Sequence, residues 1–343
     1  MSGELARFKT ILAAAADGRT LGRADARAAF DLMMQGDVTP AQMGGFLMAL
    51  RVRGETVDEI AAGAEAMRAR MVRVQAPANA IDTCGTGGDG AGTVNLSTTA
   101  ALVVAACGVP VAKHGNRGLS SRSGSAEVLH ALGVDTELGP DEIARCIAAA
   151  GIGFMMAPRH HGAMRHVAGT RVELGTRTIF NLLGPLSNPA GVKRQLLGVF
   201  DARWLEPLAH VLHALGSEKA WVVHGAGGLD ELAIEGPTEV AELADGRVRR
   251  FTVTPADAGL EAHATAALAG GEPEENAAML RAVLAGHKGA YPDAVLLAAA
   301  AALVVADVVP DLPTGAVLAA RRLDDGSAAA VLERLVAASH DHG

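Results

Sequence analysis

Residues 81–98 read IDTCGTGGDGAGTVNLST. An apolar lead-in, Ala80-Ile81, runs into Gly85, Gly87, Gly88, Asp89 and Gly90, and the loop closes on Ser97-Thr98 at the head of an apolar run. Glycines at this density let backbone N–H groups converge on one ligand, because no Cβ blocks the approach. A helix starting beside them adds unpaired donors and partial positive charge. That combination suits a phosphate or pyrophosphate. Gly85, Gly87 and Gly90 fall at G-x-G-x-x-G spacing, but the loop is not read as a dinucleotide motif on that spacing alone, and it lacks the Gly-Lys-Ser/Thr ending of a P-loop. Taken alone it is compatible with an ordinary glycine turn, so the rest of the chain decides.

Downstream of this loop, strand-like runs alternate with helical ones. Strands are expected at Val109–Lys113, Phe154-Met155-Met156 and 220–223, with helices at 141–150, 160–174, 272–285, 292–308 and 326–339. The alternation predicts a mostly parallel sheet covered by helices, with chemistry in the loops after the strands. Residues 1–72 are expected to be helical throughout. Thr39-Pro40 is an N-cap followed by proline at the first helical position, Gly54 is a stop, and Thr56 with Glu59 forms a capping box. Ile60, Ala64, Met67 and Met71 line one helical face and are assigned to packing or subunit contact. The expected fold class is therefore α/β, with a small all-helical domain and a large domain built on a mostly parallel sheet.

The 343-residue chain is half hydrophobic and one-fifth charged, which is ample for a large core. A net charge of −8 disfavours nucleic acid as a partner and requires that any anionic ligand be held by local cations. Cys84, Cys107 and Cys146 are odd in number and lack CxxC spacing, so they read as small buried hydrophobes in a reducing compartment. The MSGELARFKT start has no signal-peptide pattern, and the apolar run near 294–309 is interrupted by Asp307 and reads as a buried helix rather than a membrane span. The expectation is a cytoplasmic protein with no membrane partner.

Three further segments carry chemistry. The loop after the second strand, 113–125, begins Lys113-His114-Gly115-Asn116-Arg117-Gly118 and continues through Leu119, Ser120, Ser121 and Arg122 to Ser123, Gly124 and Ser125. It offers a cation, hydroxyls and main-chain donors to phosphate oxygens. The segment 224–231 places Asp230-Glu231 in a glycine loop, a plausible Mg²⁺ site because magnesium takes hard oxygen ligands and shares them with phosphates; a solvated acidic turn is the commoner fate of such a pair. The segment 159–189 holds His160, His161, His166 and Arg171, but without HExxH spacing. It reads as pocket lining, with Arg171 suited to clamp a carboxylate.

Together these segments resemble the anthranilate phosphoribosyltransferase family. The matching pieces are GTGGD at 85–89, NLST at 95–98, KHGNR at 113–117, SGSA at 123–126, RTIFNLLGPLSNP at 177–189, HGAGGLDEL at 224–232 and GGFLMALRVRGETVDEI at 44–60, in order over nearly the whole chain. The resemblance implies transfer of the 5-phosphoribosyl group from phosphoribosyl pyrophosphate to the amino group of anthranilate, releasing pyrophosphate, in L-tryptophan biosynthesis. It implies that Gly85, Thr86, Gly87, Gly88, Asp89, Thr93, Asn95, Ser97, Thr98, Lys113 and Ser125 bind phosphoribosyl pyrophosphate. Gly85, His114, Asn116, His161, Arg171, Gly184 and Pro185 would meet anthranilate, and Ser97, Asp230 and Glu231 would hold two Mg²⁺ ions per subunit. Lys113, His114 and Arg171 are the catalytic candidates, acting by positioning and charge.

It further implies a helical domain of 1–72 plus about 163–188, an α/β domain of 73–162 and 189–343, and a homodimer through the helical domain. The 85–90 and 113–125 loops are expected to move when empty. The chain departs from the family pattern at Gly118, Gly162, Ala233 and Ala298. The rival readings are a pyrimidine nucleoside phosphorylase-like enzyme, disfavoured by KHGNR and the Asp-Glu pair, and a nucleic-acid-binding non-catalytic paralogue, disfavoured by the net charge.

Overall fold

The computed structural model describes residues 3–118 and 123–341. Leu119, Ser120, Ser121 and Arg122 of the second loop lie outside the described residues.

A seven-stranded sheet organises the chain. Five strands are parallel: β1 (Ile81–Gly85), β2 (Val111–Gly115), β3 (Ile152–Met156), β4 (Arg194–Gly198) and β5 (Lys219–Gly225). Two more, β6 (Thr238–Ala244) and β7 (Arg247–Val253), extend it antiparallel, in the order β3-β2-β1-β4-β5-β6-β7. Order reverses at β1, where chain segments diverge and a crevice opens at the carboxyl ends of the strands. Alternate residues serve opposite faces. Trp221 and Val223 belong to one core with the helices Leu96–Ala106 and Ala290–Val305, while Ala220 and Val222 belong to a second core with the N-terminal helices.

The helical start is as expected. Helices Gly3–Ala16, Arg23–Gln35, Pro40–Arg53 and Val57–Arg68 pack around Phe8, Phe30 and Phe46. Thr39 and Thr56 are the caps, each with a reciprocal bond from the third helical residue, and Gly54 ends its helix at a φ of 94°. Val167, Ile179, Phe180, Leu182, Leu183 and Leu186 join the same core. The helix Leu205–Ala214 links this core to the sheet, packing on β5, β6 and Val57–Arg68.

Several boundaries differ from expectation. The second strand begins at Val111, two residues late, because Pro110 has no N–H for the ladder; its carbonyl instead accepts from Ile81 N–H. The helix expected over 160–174 is broken into Ala157–His160, a single turn Gly162–Met164 and Arg165–Leu174, since His161 leaves helical geometry at φ −115° and ψ 54°. Strands β4, β6 and β7 and the helices Leu205–Ala214 and Leu312–Asp324 are additions. The apolar run near 294–309 forms the buried helix Ala290–Val305, and Asp307 beyond it takes a φ of 57° that the helix cannot continue. Among the described residues no helix is long and apolar enough to cross a membrane.

Candidate functional site

The carboxyl ends of β1, β2 and β5, the helix Leu96–Ala106 and the 157–185 segment enclose a cavity of about 1150 Å³. Every residue singled out for binding lines it. Gly85, Thr86, Gly87, Gly88, Asp89, Thr93, Asn95, Ser97, Thr98, Lys113, Ser125, Asp230 and Glu231 lie there, and so do His114, Asn116, His161, Arg171, Gly184 and Pro185. Met67, assigned to packing, is in the helical core and also reaches the cavity.

One wall is built from backbone and carboxylates. Gly87, at φ 71°, turns its N–H onto Asp230 Oδ2 at 2.5 Å, a conformation that a side chain would strain. Asp89 Oδ2 accepts from the Asp230 N–H at 3.5 Å, and Glu231 Oε1 accepts from the Ser97 N–H at 3.2 Å. This ties the third loop to the first and to the start of the helix Leu96–Ala106. The fit is close: a Cβ on Gly85 would meet Asp230 Oδ2 at 2.4 Å, and one on Gly198 would meet the Asp230 carbonyl oxygen at 1.5 Å.

Burial, then the neighbouring carboxylates of Glu231 and Asp89, push the Asp230 carboxyl up to about 8. Burial likewise pushes Glu231 to about 7 against the pull of Lys113. Crowded acids held this far above their usual range are a site that a divalent cation would relieve. Asp230, Glu231 and the Ser97 hydroxyl provide hard oxygen donors suited to Mg²⁺. Among the described residues no three His, Cys or acidic side chains are arranged to hold a metal ion by themselves, so substrate oxygens and water would complete the coordination.

Lys113 is only 2% exposed. Its ammonium donates to Thr83 O at 2.6 Å and to Ser97 Oγ at 3.4 Å, leaving a buried cation beside the carboxylate wall. Ser125 Oγ donates to Asn116 O at 3.2 Å, which closes the far side of the second loop.

The opposite wall is basic and apolar. The rings of His114 and His161 lie 5.1 Å apart, and each has a buried Nε2 without a hydrogen-bond partner. Burial holds His114 well below the usual histidine range and His161 at about 4, so both are neutral at pH 7. Arg171 stacks 5.7 Å from the Phe180 ring centroid and has no ion pair among the described residues. Its guanidinium pKa is lowered by burial alone. A half-buried cation without a counter-charge, beside two unpaired imidazole nitrogens and the apolar Pro185 and Met164, fits a small aromatic anion.

Sequence reasoning missed the rim at Gly270, Gly271 and Asn276. Asn276 Nδ2 donates to Asn95 Oδ1 at 3.0 Å, and Asn276 Oδ1 accepts from Gly271 N–H at 2.8 Å. The Gly270-Gly271 pair before a helix was the available signal. It also missed Arg177, which donates to the Gly88 carbonyl and stacks 4.0 Å over Phe200.

Two family models cover the chain: the helical bundle domain of the glycosyl transferase family matches residues 9–71, and its a/b domain matches 77–329. The anthranilate phosphoribosyltransferase of Beijerinckia indica is 63% identical over 97% of this chain and 98% of its own length. That of Agrobacterium fabrum is 60% identical over 98% of each. The crystal structure of the Thermus thermophilus anthranilate phosphoribosyltransferase superposes with a TM-score of 0.91 at 47% identity, covering 96% of this chain and 99% of that one. The Saccharomyces cerevisiae enzyme in complex with PRPP and Mg superposes at 0.89 with 28% identity, covering 99% and 98%. The chain belongs to the glycosyl transferase family and, within it, to the anthranilate phosphoribosyltransferases.

Proposed function

We infer that the chain joins the amino group of anthranilate to C1 of phosphoribosyl pyrophosphate and releases pyrophosphate, giving N-(5-phosphoribosyl)anthranilate for tryptophan biosynthesis. The observation that carries this reading is one cavity with two dissimilar walls. One is lined by phosphate-type donors and buried carboxylates, and the other by Arg171 and neutral histidines.

On this reading Gly85 to Asp89, Thr93, Asn95, Ser97, Thr98, Lys113 and Ser125 hold the phosphorylated sugar, while His114, Asn116, His161, Arg171, Gly184 and Pro185 hold anthranilate, with Gly85 between them. Ser97, Asp230 and Glu231 hold two Mg²⁺ ions. When bound, Mg²⁺ neutralises charge on the departing pyrophosphate. The arylamine is neutral and already nucleophilic, so no strong base is needed before attack. Arg171 orients the anthranilate carboxylate, and the neutral imidazoles leave the amine uncharged. Lys113 and the loop N–H groups stabilise the developing negative charge on the leaving group. Holding the amine against C1 can supply on the order of 7–11 kcal/mol of barrier reduction.

The helical unit is taken as 1–72 with about 163–188, and the α/β unit as 73–162 and 189–343. Val167, Ile179, Phe180, Leu182, Leu183 and Leu186 pack in the same core as the four N-terminal helices, which supports grouping about 163–188 with them. Val52 and Val172, 82% and 81% exposed on the helical unit, supply apolar surface for pairing two copies, which light scattering would check. A cytoplasmic location accords with the reduced-cysteine reading.

The direct test is loss of anthranilate fluorescence on adding phosphoribosyl pyrophosphate, with and without Mg²⁺. Mg²⁺-dependent loss is expected. Phosphorolysis of a nucleoside without that loss would favour the phosphorylase reading instead.

A further inference from the structure

We propose that Asp82, with Asn188, is a positioning residue for both substrates, acting through the backbone of Lys113 and His114; this rests on the phosphoribosyl-transfer reading above.

Strands β1 and β2 share a single residue pair, Ile81 with Val111, whereas β2 pairs with β3, and β1 with β4, over five residues each. Beyond that pair the two strands make no further ladder pairs on the way to the cavity. Their buried backbone groups still need partners, and side chains supply them. Asp82 Oδ1 accepts from the His114 N–H at 3.2 Å. Asn188 Nδ2 donates to the Ala112 carbonyl at 2.9 Å and to Asp82 Oδ2 at 2.8 Å. Asn188 Oδ1 in turn accepts from Ala190 N–H at 2.8 Å. On the same stretch Lys113 Nζ takes the Thr83 carbonyl. Polar side chains thus stand in for the ladder along this stretch.

Asp82 is 0% exposed and does not line the cavity. A fully buried carboxylate is costly unless compensated, and here burial raises its pKa while Lys113, Asn188 and the His114 N–H act against that rise. Lys113 and His114 are consecutive on a strand and point to opposite faces, toward the pyrophosphate wall and the histidine wall respectively. One anchor on this dipeptide therefore sets a side chain on each wall.

Asp82→Asn keeps the shape, removes the charge and turns an acceptor into a donor facing Asn188 Nδ2. In the full-length chain it is expected to raise KM for both substrates and lower kcat/KM at least about tenfold, since small misplacements of positioning groups cost up to ~100-fold. Its effect on phosphoribosyl pyrophosphate affinity should be non-additive with Lys113→Met, the mark of contact through a shared network. A purely structural role would reduce the folded fraction and leave the KM values of folded enzyme unchanged. Unchanged KM values, or strict additivity, would overturn the proposal. Should Asp82→Asn fail to fold, Asn188→Ala is expected to give the same paired rise in KM, and normal kinetics there would overturn it equally. An inactive wild-type enzyme in the same assay would instead defeat the reading of the site.

Discussion

The two walls of the cavity hold opposite electrostatic imbalances. The loops of β1 and β5 crowd Asp89, Asp230 and Glu231 together, and the Asp230 and Glu231 carboxyls are pushed toward neutral pH. The 157–185 segment and β2 present Arg171 without a counter-charge and two imidazoles too buried to charge. The first wall gathers more carboxylates than its one buried cation, Lys113, can balance, and the second presents Arg171 with no ion-paired carboxylate among the described residues. Each is complete only with a ligand, and the ligands differ in kind, which is how one cavity can orient two substrates without confusing them.

The sharpest way to break this contrast is to remove the acidic pair. Asp230→Ala with Glu231→Ala should abolish Mg²⁺-dependent turnover, a loss of at least about a thousandfold in kcat, comparable with or larger than deletion of a transition-state electrostatic group. Full activity in that variant would remove the metal role.

On the other wall, Arg171→Ala should raise the anthranilate KM roughly 10- to 100-fold, the range for losing one charge-assisted hydrogen bond, and spare that of phosphoribosyl pyrophosphate. Steady-state kinetics with each substrate varied in turn would show whether the effect is confined to one wall.

The acidic wall should also leave a signature in stability. Asp230 and Glu231 have folded-state pKa values raised to about 8 and about 7, so the metal-free fold binds extra protons below those values. Their contribution to its stability is therefore greatest in acid and declines as pH rises through the window ending near 8. The buried histidines act with the opposite sign at lower pH. Their neutral form is favoured in the fold, and that contribution is lost as pH falls through the usual histidine range. Melting temperatures across pH 5–9, with and without Mg²⁺, should show a downward slope that ends near pH 8, which Mg²⁺ flattens and the double Ala variant lacks.

The smallest effect concerns a departure from the family pattern. Gly162 has open space where a Cβ would stand, the nearest contact being Arg165 Nη1 at 4.0 Å. Gly162→Ala should therefore stabilise by about 0.4–1 kcal/mol by restricting the unfolded chain, with turnover unchanged, as chemical denaturation would report.

Much of this was legible because glycines and caps are local signals. The 85–90 loop, the Thr39 and Thr56 caps and the Asp-Glu pair each declare themselves within a few residues, and the fold brings the loop and the pair to one cavity as the strand-end rule requires. Strand β4 was harder to see. Its Gln195-Leu196-Leu197 stretch is short and buried on both faces, so it has no alternation to betray it. The β6–β7 hairpin did carry a signal: Asp245 and Gly246, with φ of 52° and 71°, form a two-residue turn between alternating runs. What no local pattern could reveal was the Asp82–Asn188 bond, which joins residues 106 positions apart.

Titration calorimetry of phosphoribosyl pyrophosphate into the protein near pH 7.5 in millimolar Mg²⁺, repeated in buffers of different ionisation enthalpy, tests the central claim most directly. The expected result is saturable binding accompanied by net proton release, as Asp230 and Glu231 give up protons to a bound cation. Well-folded protein that takes up no phosphoribosyl pyrophosphate, or takes it up with no proton exchanged, would contradict the account.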